Sequence, residues 1–441
     1  MSHPKTLDRR TFLKTSAAGV LGAGWAGRLA AGTVPAAGPA QEARDSRPRI
    51  QEYRLLGRTA WKVSDLAAGY IQDEGVMRAA LDAGVNYIDT AEQYPGHHRL
   101  VAKVLKGRDR KTLFLTTKLQ VLEDRSREGF LQRARKALAE LETDYVDCLM
   151  MHMPQNVATL GTEGFHAALS ELKAEGRVRF TGVSHHGAFW YREPEEAMDK
   201  VLGAAAEDGR FDLFLMAYNF LNTGPGGRVL EAARAKKIGV ALMKTTPVAI
   251  YDQIKARIER TRAAGQEPNP LFVEGLNRYQ AMVDKAQEFI QGHRLATREE
   301  IQSAAIRFCL DNPDVHTVCF IARTHDEMGA FLRLSGGRLD APSGDRLAAF
   351  REGCGGLYCR HACGLCEPSC PHGVPVNTIA RYYQYHTGQG RTEEAAGLYA
   401  AIPGPAGDVC SGCSGGCEKA CPYGVPVQGL MILAHQTLAA S

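Results

Sequence analysis

From Tyr53 to about Leu334 the chain alternates short aliphatic or β-branched runs with longer stretches whose apolar positions recur every three or four residues. The short runs predict strands at Val63–Ala68, Tyr87–Asp89, Leu113–Thr117, Tyr145–Met151, Val178–Val183, Asp212–Ala217, Gly239–Met243 and His316–Phe320. Patterns such as Phe130–Leu141 and Arg298–Leu310 predict amphipathic helices between them. Strand-then-helix units repeated in this way predict an α/β fold, a closed (β/α)8 TIM barrel rather than an open doubly wound sheet. The stretch from Thr245 to Thr297 exceeds a simple loop, and Ile250–Arg262 and Tyr279–Gln291 predict extra helices over the barrel mouth.

A chain of 441 residues, 44% hydrophobic, has ample material for a core and exceeds one small domain. Its formal charge of +4 sits in residues 1–40, where Lys5, Arg9, Arg10, Lys14 and Arg28 face only Asp8. The near-neutral remainder offers no basic face for nucleic acid. Residues 1–40 read as a targeting peptide, because Asp8-Arg9-Arg10-Thr11-Phe12-Leu13-Lys14 resembles the twin-arginine export signal. Cleavage near Ala36 or Ala40 would leave a periplasmic or otherwise extracytoplasmic protein with no stable membrane span. An uncleaved anchor or a disordered arm is the alternative. Gly22-Ala23-Gly24-Trp25-Ala26-Gly27 matches a dinucleotide-binding string, but it follows no predicted strand and reads as coincidence.

Cysteine changes the picture. Cys359, Cys363, Cys366 and Cys370 form one run closing on Pro371; Cys410, Cys413, Cys417 and Cys421 form another closing on Pro422. Four soft thiolates closing on Cys-Pro, written twice, point to two [4Fe–4S] clusters. Zinc sites or disulfides are the alternatives. Each run has one residue more than the bacterial ferredoxin spacing, at a different place, and Cys354 could stand in for Cys359. By the ferredoxin rule the fourth cysteine serves the other cluster, which groups Cys359, Cys363 and Cys366 with Cys421, and Cys410, Cys413 and Cys417 with Cys370. Cys148, Cys309 and Cys319 lie in apolar stretches and read as core thiols.

In a barrel of this kind chemistry sits where strands end. Asp89 follows the second predicted strand, Lys118 the third and His152 the fourth, with Tyr94 just beyond Asp89. A tyrosine hydroxyl donates a proton usefully only if a neighbouring cation steadies its phenolate. Lys118 can do so, Asp89 can hold Lys118, and His152 can bond a substrate oxygen. That set protonates an alkoxide as a carbonyl accepts hydride.

These residues carry a resemblance. Tyr53-Arg54-x-Leu56-Gly57-Arg58-Thr59, Ala83-Gly84-Val85-Asn86-Tyr87-Ile88-Asp89-Thr90-Ala91-x-x-Tyr94, Thr117-Lys118, Met151-His152 and Gly182-Val183-Ser184 resemble the aldo-keto reductase family in order and spacing. The resemblance implies an NADPH-dependent barrel reductase with Asp89, Tyr94, Lys118 and His152 as its catalytic tetrad. Ser184 would contact the nicotinamide carboxamide, and Lys244 and Arg323 could bind its phosphates. The chain departs from the pattern at Met243-Lys244, where the family often has an aromatic, and at Phe320-Ile321, where a Pro-Gly turn is usual. The loop Gly69 to Glu74 is short for a cover over the nicotinamide, and His185 replaces a frequent asparagine. His97, His98, His185 and His186 adjoin the pocket and read as polar or substrate-contacting groups rather than metal ligands. The tail resembles the small α-helical ferredoxin-like domain fused to one branch of that family.

The expected boundaries are a signal at 1–40, a linker at 41–52, the barrel at 53–340, a linker at 341–353 and the iron–sulfur domain at 354–441. The leading expectation is an exported oxidoreductase that interconverts a small carbonyl and an alcohol at Tyr94, with two clusters exchanging electrons with a redox partner protein. Hydride carries two electrons and a cubane one, and no flavin motif couples them. The alternative is an electron-transfer or docking protein whose barrel no longer turns over a nicotinamide.

Overall fold

The computed structural model describes residues 47–187, 195–246, 284, 298–389 and 391–440. The twin-arginine segment, the Gly22–Gly27 string, the expected helix Ile250–Arg262 and, Asp284 apart, the expected helix Tyr279–Gln291 lie outside these residues.

A hairpin of β1 (Tyr53–Leu55) and β2 (Lys62–Ser64) precedes the barrel strands. These are β3 (Leu66–Ala68), β4 (Tyr87–Asp89), β5 (Phe114–Gln120), β6 (Val146–His152), β7 (Val178–His185), β8 (Leu213–Ala217), β9 (Gly239–Met243) and β10 (Thr317–Phe320). They close in the order β10-β3-β4-β5-β6-β7-β8-β9, every pair parallel. Strands buried on both faces need near-continuous apolar runs, and every residue of β5, β6 and β8 is buried.

The stretch Val63–Ala68, expected as one strand, is two. Asp65 breaks it by turning its buried carboxylate to accept from Ser335 Oγ and the Gly336 N–H, each at 2.7 Å. Lys62–Ser64 thereby belongs to the hairpin, which plugs one end of the barrel with Leu56 and Val63 against Tyr87, Phe114 and Leu213. Gly57 permits the approach: a Cβ there would stand 2.3 Å from the Gly239 nitrogen.

Both expected linkers are corrected in part. Residues 341–353 fall in the helix Ala341–Cys354. Asp340 caps that helix by accepting from the Ser343 N–H, Pro342 stands in its first turn, and Phe350 packs edge-on against Phe220, 5.8 Å between ring centres. At the other linker, Ile50 already donates to Ala83 O and Gln51 to Ser335 Oγ, so the chain is docked from there.

Beyond Cys354 the chain folds into helices Val376–Gln389, Thr392–Ala400, Gly416–Ala420 and Val427–Leu438. Their apolar faces share one hydrophobic cluster with Phe220, Leu221, Ile301 and Ala305 of the barrel. Residues 47–441 are therefore one compact unit. Polar contacts cross the same seam: Met198 N donates to Ala362 O, Arg360 Nε to Leu221 O, and Asn219 Nδ2 to the Tyr358 hydroxyl.

Candidate active site and cysteine tail

Three adjacent strands deliver the expected polar set to one rim. Asp89 ends β4, Lys118 lies near the end of β5, and His152 ends β6. The strands run one to three residues further than the sequence pattern suggests, so Lys118 and His152 are held by ladders rather than by loops. The buried Lys118 ammonium donates to Asp89 Oδ2 at 2.6 Å and to Thr90 O at 2.8 Å, while Asp89 Oδ1 accepts from Thr116 Oγ1 at 2.8 Å. Tyr94 lies in the loop after β4 with Lys118 Nζ 5.1 Å from its ring centre. Its ring meets Tyr70 at 4.5 Å and stands edge-on to His152 at 6.4 Å.

Burial raises the Tyr94 phenol; Lys118 pulls it down as expected, but Asp89 and burial prevail and it stays above its ordinary value. Burial alone would depress Lys118, yet the charges of Asp89 and Tyr94 outweigh it and the ammonium is favoured. Burial, helped by Lys118, holds His152 well below its usual range, so it is a neutral imidazole. Its Nδ1 lies 2.7 Å from Gln93 Oε1, and the buried Gln93 Nε2 has no partner among the described residues. A half-turn of that amide brings its nitrogen to Nδ1, which then accepts and leaves the proton on Nε2.

Ser184, near the end of β7, pairs in register with His152 and is buried with its hydroxyl unpartnered among the described residues. Lys244 follows β9 in a left-handed conformation, φ 57°, and burial pushes its ammonium down to about 8. Arg323 is exposed, with its backbone N–H bonded to Glu327, and is not gathered into the buried mouth. His97 and His98 are spent on structure: His97 bonds Thr90 Oγ1 and Ile71 O, and His98 bonds Glu140 and Thr117 Oγ1. Burial raises the Cys319 thiol well above its ordinary value and Asp89 raises it further, which keeps it protonated and unreactive.

The tail supplies residues that sequence reasoning missed. Tyr385 and Arg391 reach the mouth: Lys244 Nζ stands 5.6 Å from the Tyr385 ring centre, and the Arg391 guanidinium 4.6 Å above the same ring. The Arg391 charge acts on Tyr94, His152 and Lys244. Only the folded seam brings them there, and no local spacing marks them.

All twelve cysteines are free thiols. Cys359, Cys363, Cys366 and Cys421 line one cavity with Leu365, Val376, Tyr423 and Val425. Cys410 is raised to about 12 by burial, and Cys417, Cys370 and Cys413 stand close enough to raise it further. Cys354, raised to about 12 by burial, does not line that cavity, whereas Cys359 does. Among the described residues no three His, Cys, Asp or Glu side chains converge as a single metal ion would require. Thiolates around one zinc lie about 3.8 Å apart, given Zn–S bonds of about 2.3 Å. A cubane asks less convergence, because each thiolate binds its own iron.

The two runs repeat in space as in sequence. Cys359, Cys366 and Cys370 recur fifty-one positions later as Cys410, Cys417 and Cys421. Glu367 accepts from the Asn377 N–H, and its counterpart Glu418 accepts from the Gln428 N–H. The amides of those two residues then brace the cysteine loops, Asn377 Nδ2 on Arg360 O and Gln428 Nε2 on Cys410 O and Cys413 O.

The model of the aldo/keto reductase family matches residues 60–352, ending before the first cysteine run. Methylglyoxal reductase DkgB of Salmonella typhimurium is 28% identical over 188 residues, which cover 41% of this chain and 65% of that protein. An aldo-keto reductase of Mycolicibacterium paratuberculosis is 34% identical over 136 residues, 30% of this chain and 44% of its own. The chain thus spans less than two thirds of either relative. Among solved structures, aldo-keto reductase AKR11C1 from Bacillus halodurans aligns over 68% of this chain and 96% of its own, with 21% identity and a TM-score of 0.49.

Proposed function

The chain belongs to the aldo/keto reductase family, and from that premise we propose that it is an oxidoreductase interconverting a small carbonyl and its alcohol with Tyr94 as general acid and base. The observation that carries this reading is the Asp89–Lys118 pair at 2.6 Å beneath the Tyr94 ring, with His152 beside it. In the reducing direction the Tyr94 hydroxyl passes its proton to the carbonyl oxygen, and the Lys118 ammonium steadies the phenolate left behind. Asp89 fixes that ammonium, and neutral His152 hydrogen-bonds the same oxygen and orients it.

NADP(H), when bound, supplies or accepts the hydride. The unpartnered Ser184 hydroxyl beside His152 fits its carboxamide, and Lys244 and Arg323 are the candidates for its phosphates. The test is NADPH-dependent reduction of methylglyoxal by the full chain. Tyr94→Phe is expected to lower kcat/KM by about 10²–10⁴; an unchanged rate overturns the assignment.

On this reading the tail is a small α-helical ferredoxin-like domain holding two [4Fe–4S] clusters. Cys359, Cys363, Cys366 and Cys421 would ligate one, and Cys410, Cys413, Cys417 and Cys370 the other. The shared cavity of the first set and the closeness of Cys417, Cys370 and Cys413 to Cys410 support it. The clusters would exchange single electrons with a redox partner protein, and buried free thiols suit them better than disulfides do. Residues 1–40 would direct twin-arginine export to the periplasm. No helix among the described residues is long and apolar enough to cross a membrane.

A second reading has a specific observation in its favour. Tyr385 and Arg391 of the tail stand over the mouth beside Lys244, as in an electron-transfer or docking protein whose barrel no longer admits a nicotinamide. Failure of NADPH to bind the intact, cluster-bearing chain would favour it.

A further inference from the structure

Where the tail closes on the barrel, buried polar atoms lack partners. The Ser184 hydroxyl, His186 Nδ1 and His361 Nε2 are all unsatisfied among the described residues, on side chains 0%, 8% and 5% exposed. An unmet buried donor or acceptor is costly, so three in one place call for a ligand. They belong together: the rings of His186 and His361, one from the barrel and one from the tail, are 6.4 Å apart at 83°.

The same place is short of negative charge. Lys244 Nζ lies against the Tyr385 ring, and the charges that act on it are those of Arg391 and Arg381. The nearby carboxylates face elsewhere, Glu195 onto Arg381 and Glu394 onto Arg391. No carboxylate among the described residues pairs with Lys244. Its left-handed backbone, φ 57°, is an uncommon conformation for a lysine, and Asn219 Nδ2 fastens it by donating to Lys244 O at 2.8 Å. Burial lowers its ammonium to about 8, which is the electrostatic mark of a cation awaiting a counter-ion.

We propose that this pocket receives the carboxylate of a 2-oxo acid substrate, held by Lys244, His186 and His361 while its carbonyl faces Tyr94 and His152. The inference rests on the reductase reading and names its substrate class; it takes Lys244 for the substrate, which leaves Ser184 and Arg323 to NADP(H). Ser184 is the register partner of His152, and His186 follows two residues later, so the anion-binding groups adjoin the group that orients the carbonyl. A 2-oxo acid places its carboxylate one bond from the reacting carbon, matching that adjacency. The substrate pocket is then incomplete without the tail, which supplies His361 and the Tyr385 wall.

The test is calorimetric binding to the full chain, isolated anaerobically, with oxamate as an unreactive 2-oxo acid analogue. The uncharged ethyl ester of oxamate and inorganic phosphate serve as comparators. Oxamate is expected to bind one site at least tenfold more tightly than the ester or phosphate. Lys244→Met should weaken it at least tenfold, and Lys244→Arg should keep most of the affinity. Equal binding of the ester, or wild-type affinity in Lys244→Met, overturns the proposal. Displacement of oxamate by saturating NADPH also overturns it, since the anion held there would be a dinucleotide phosphate. Should Lys244→Met fail to fold, His186→Asn reads the same loss. No turnover enters the assay, so a failed Tyr94→Phe test counts against the reductase reading alone.

Discussion

Arg381 of the tail donates to Glu195 of the barrel at 2.6 Å, with side chains only 1% and 8% exposed. Thr378 Oγ1 donates to the same Glu195 oxygen, also at 2.6 Å. Breaking one side of such a pair strands its partner in a medium that penalises lone charge. Arg381→Met is expected to destabilise the chain by about 3–5 kcal/mol, read as a lower urea midpoint. Because barrel and tail share a hydrophobic cluster, far-ultraviolet and tyrosine signals should still unfold together. Two separated transitions would show the seam to be weaker than its contacts suggest.

Acid should weaken the fold through histidine. Burial pushes His97 and His185 down to about 4 and lowers His98, His152 and His316 from their ordinary 6.5. Above pH 6.5 these groups are neutral folded or unfolded, so their effect is nil. Between 6.5 and about 4 the unfolded chain takes up protons that the folded one refuses, so stability falls with pH. The slope is about 1.4 kcal/mol per pH unit for each such histidine. Unfolding midpoints measured from pH 7 to pH 5 test this; a flat profile contradicts it.

Much of the barrel was legible in the sequence, and particular residues mark where legibility stopped. The strands Tyr87–Asp89 and Gly239–Met243 begin and end where their apolar runs do. Val63–Ala68 read as one strand because Ser64 and Asp65 are only two polar residues in an apolar run, and the partners of Asp65, Ser335 and Gly336, lie about 270 positions away. Residues 341–353 read as a linker because their polar surface hides a narrow seam at Leu347 and Phe350. Asp89, Lys118 and His152 were legible because a strand end is a local event. Tyr385, Arg391 and His361 were not, because only packing of the tail onto β7 and β9 carries them to the mouth. Lys118 does act on Tyr94 in the expected direction, but the depth of the site raises the phenol further than the ammonium lowers it.

Gln93 should set the tautomer of His152. Its amide can offer either oxygen or nitrogen to Nδ1, and the neighbouring histidine can carry a proton on Nε2 only when nitrogen is offered. Gln93→Glu removes that choice and locks the proton on Nδ1. An expected loss of about tenfold or more in kcat for carbonyl reduction, with KM little changed, separates this from a packing defect. Nitrogen-15 shifts of His152 should show the tautomer directly.

Cluster content should follow space rather than sequence. Cys421→Ser is expected to deplete the cluster held by Cys359, Cys363 and Cys366, whereas Cys370→Ser should deplete the other. Iron and sulfide analysis with electron paramagnetic resonance on the reduced chain reads both. If Cys421→Ser and Cys417→Ser give the same spectrum, each run serves its own cluster and the crossed grouping is wrong.

On the proposed cluster grouping, the crossing of Cys370 and Cys421 between the two runs has a consequence for assembly. The halves of the tail would then be clasped like links of a chain, each completing the other's cage. Neither half is a spare copy that could be lost while its twin carried on. A truncation after Pro405, in the turn before the second run, would leave three thiols of the first cage gaping and would uncover the Ile379, Tyr382 and Leu398 side of a core they share with Met431 and Leu433. Maturation of this protein is thus expected to be all-or-none at its last forty residues or so, with apo and fully loaded chains predominating over half-loaded ones.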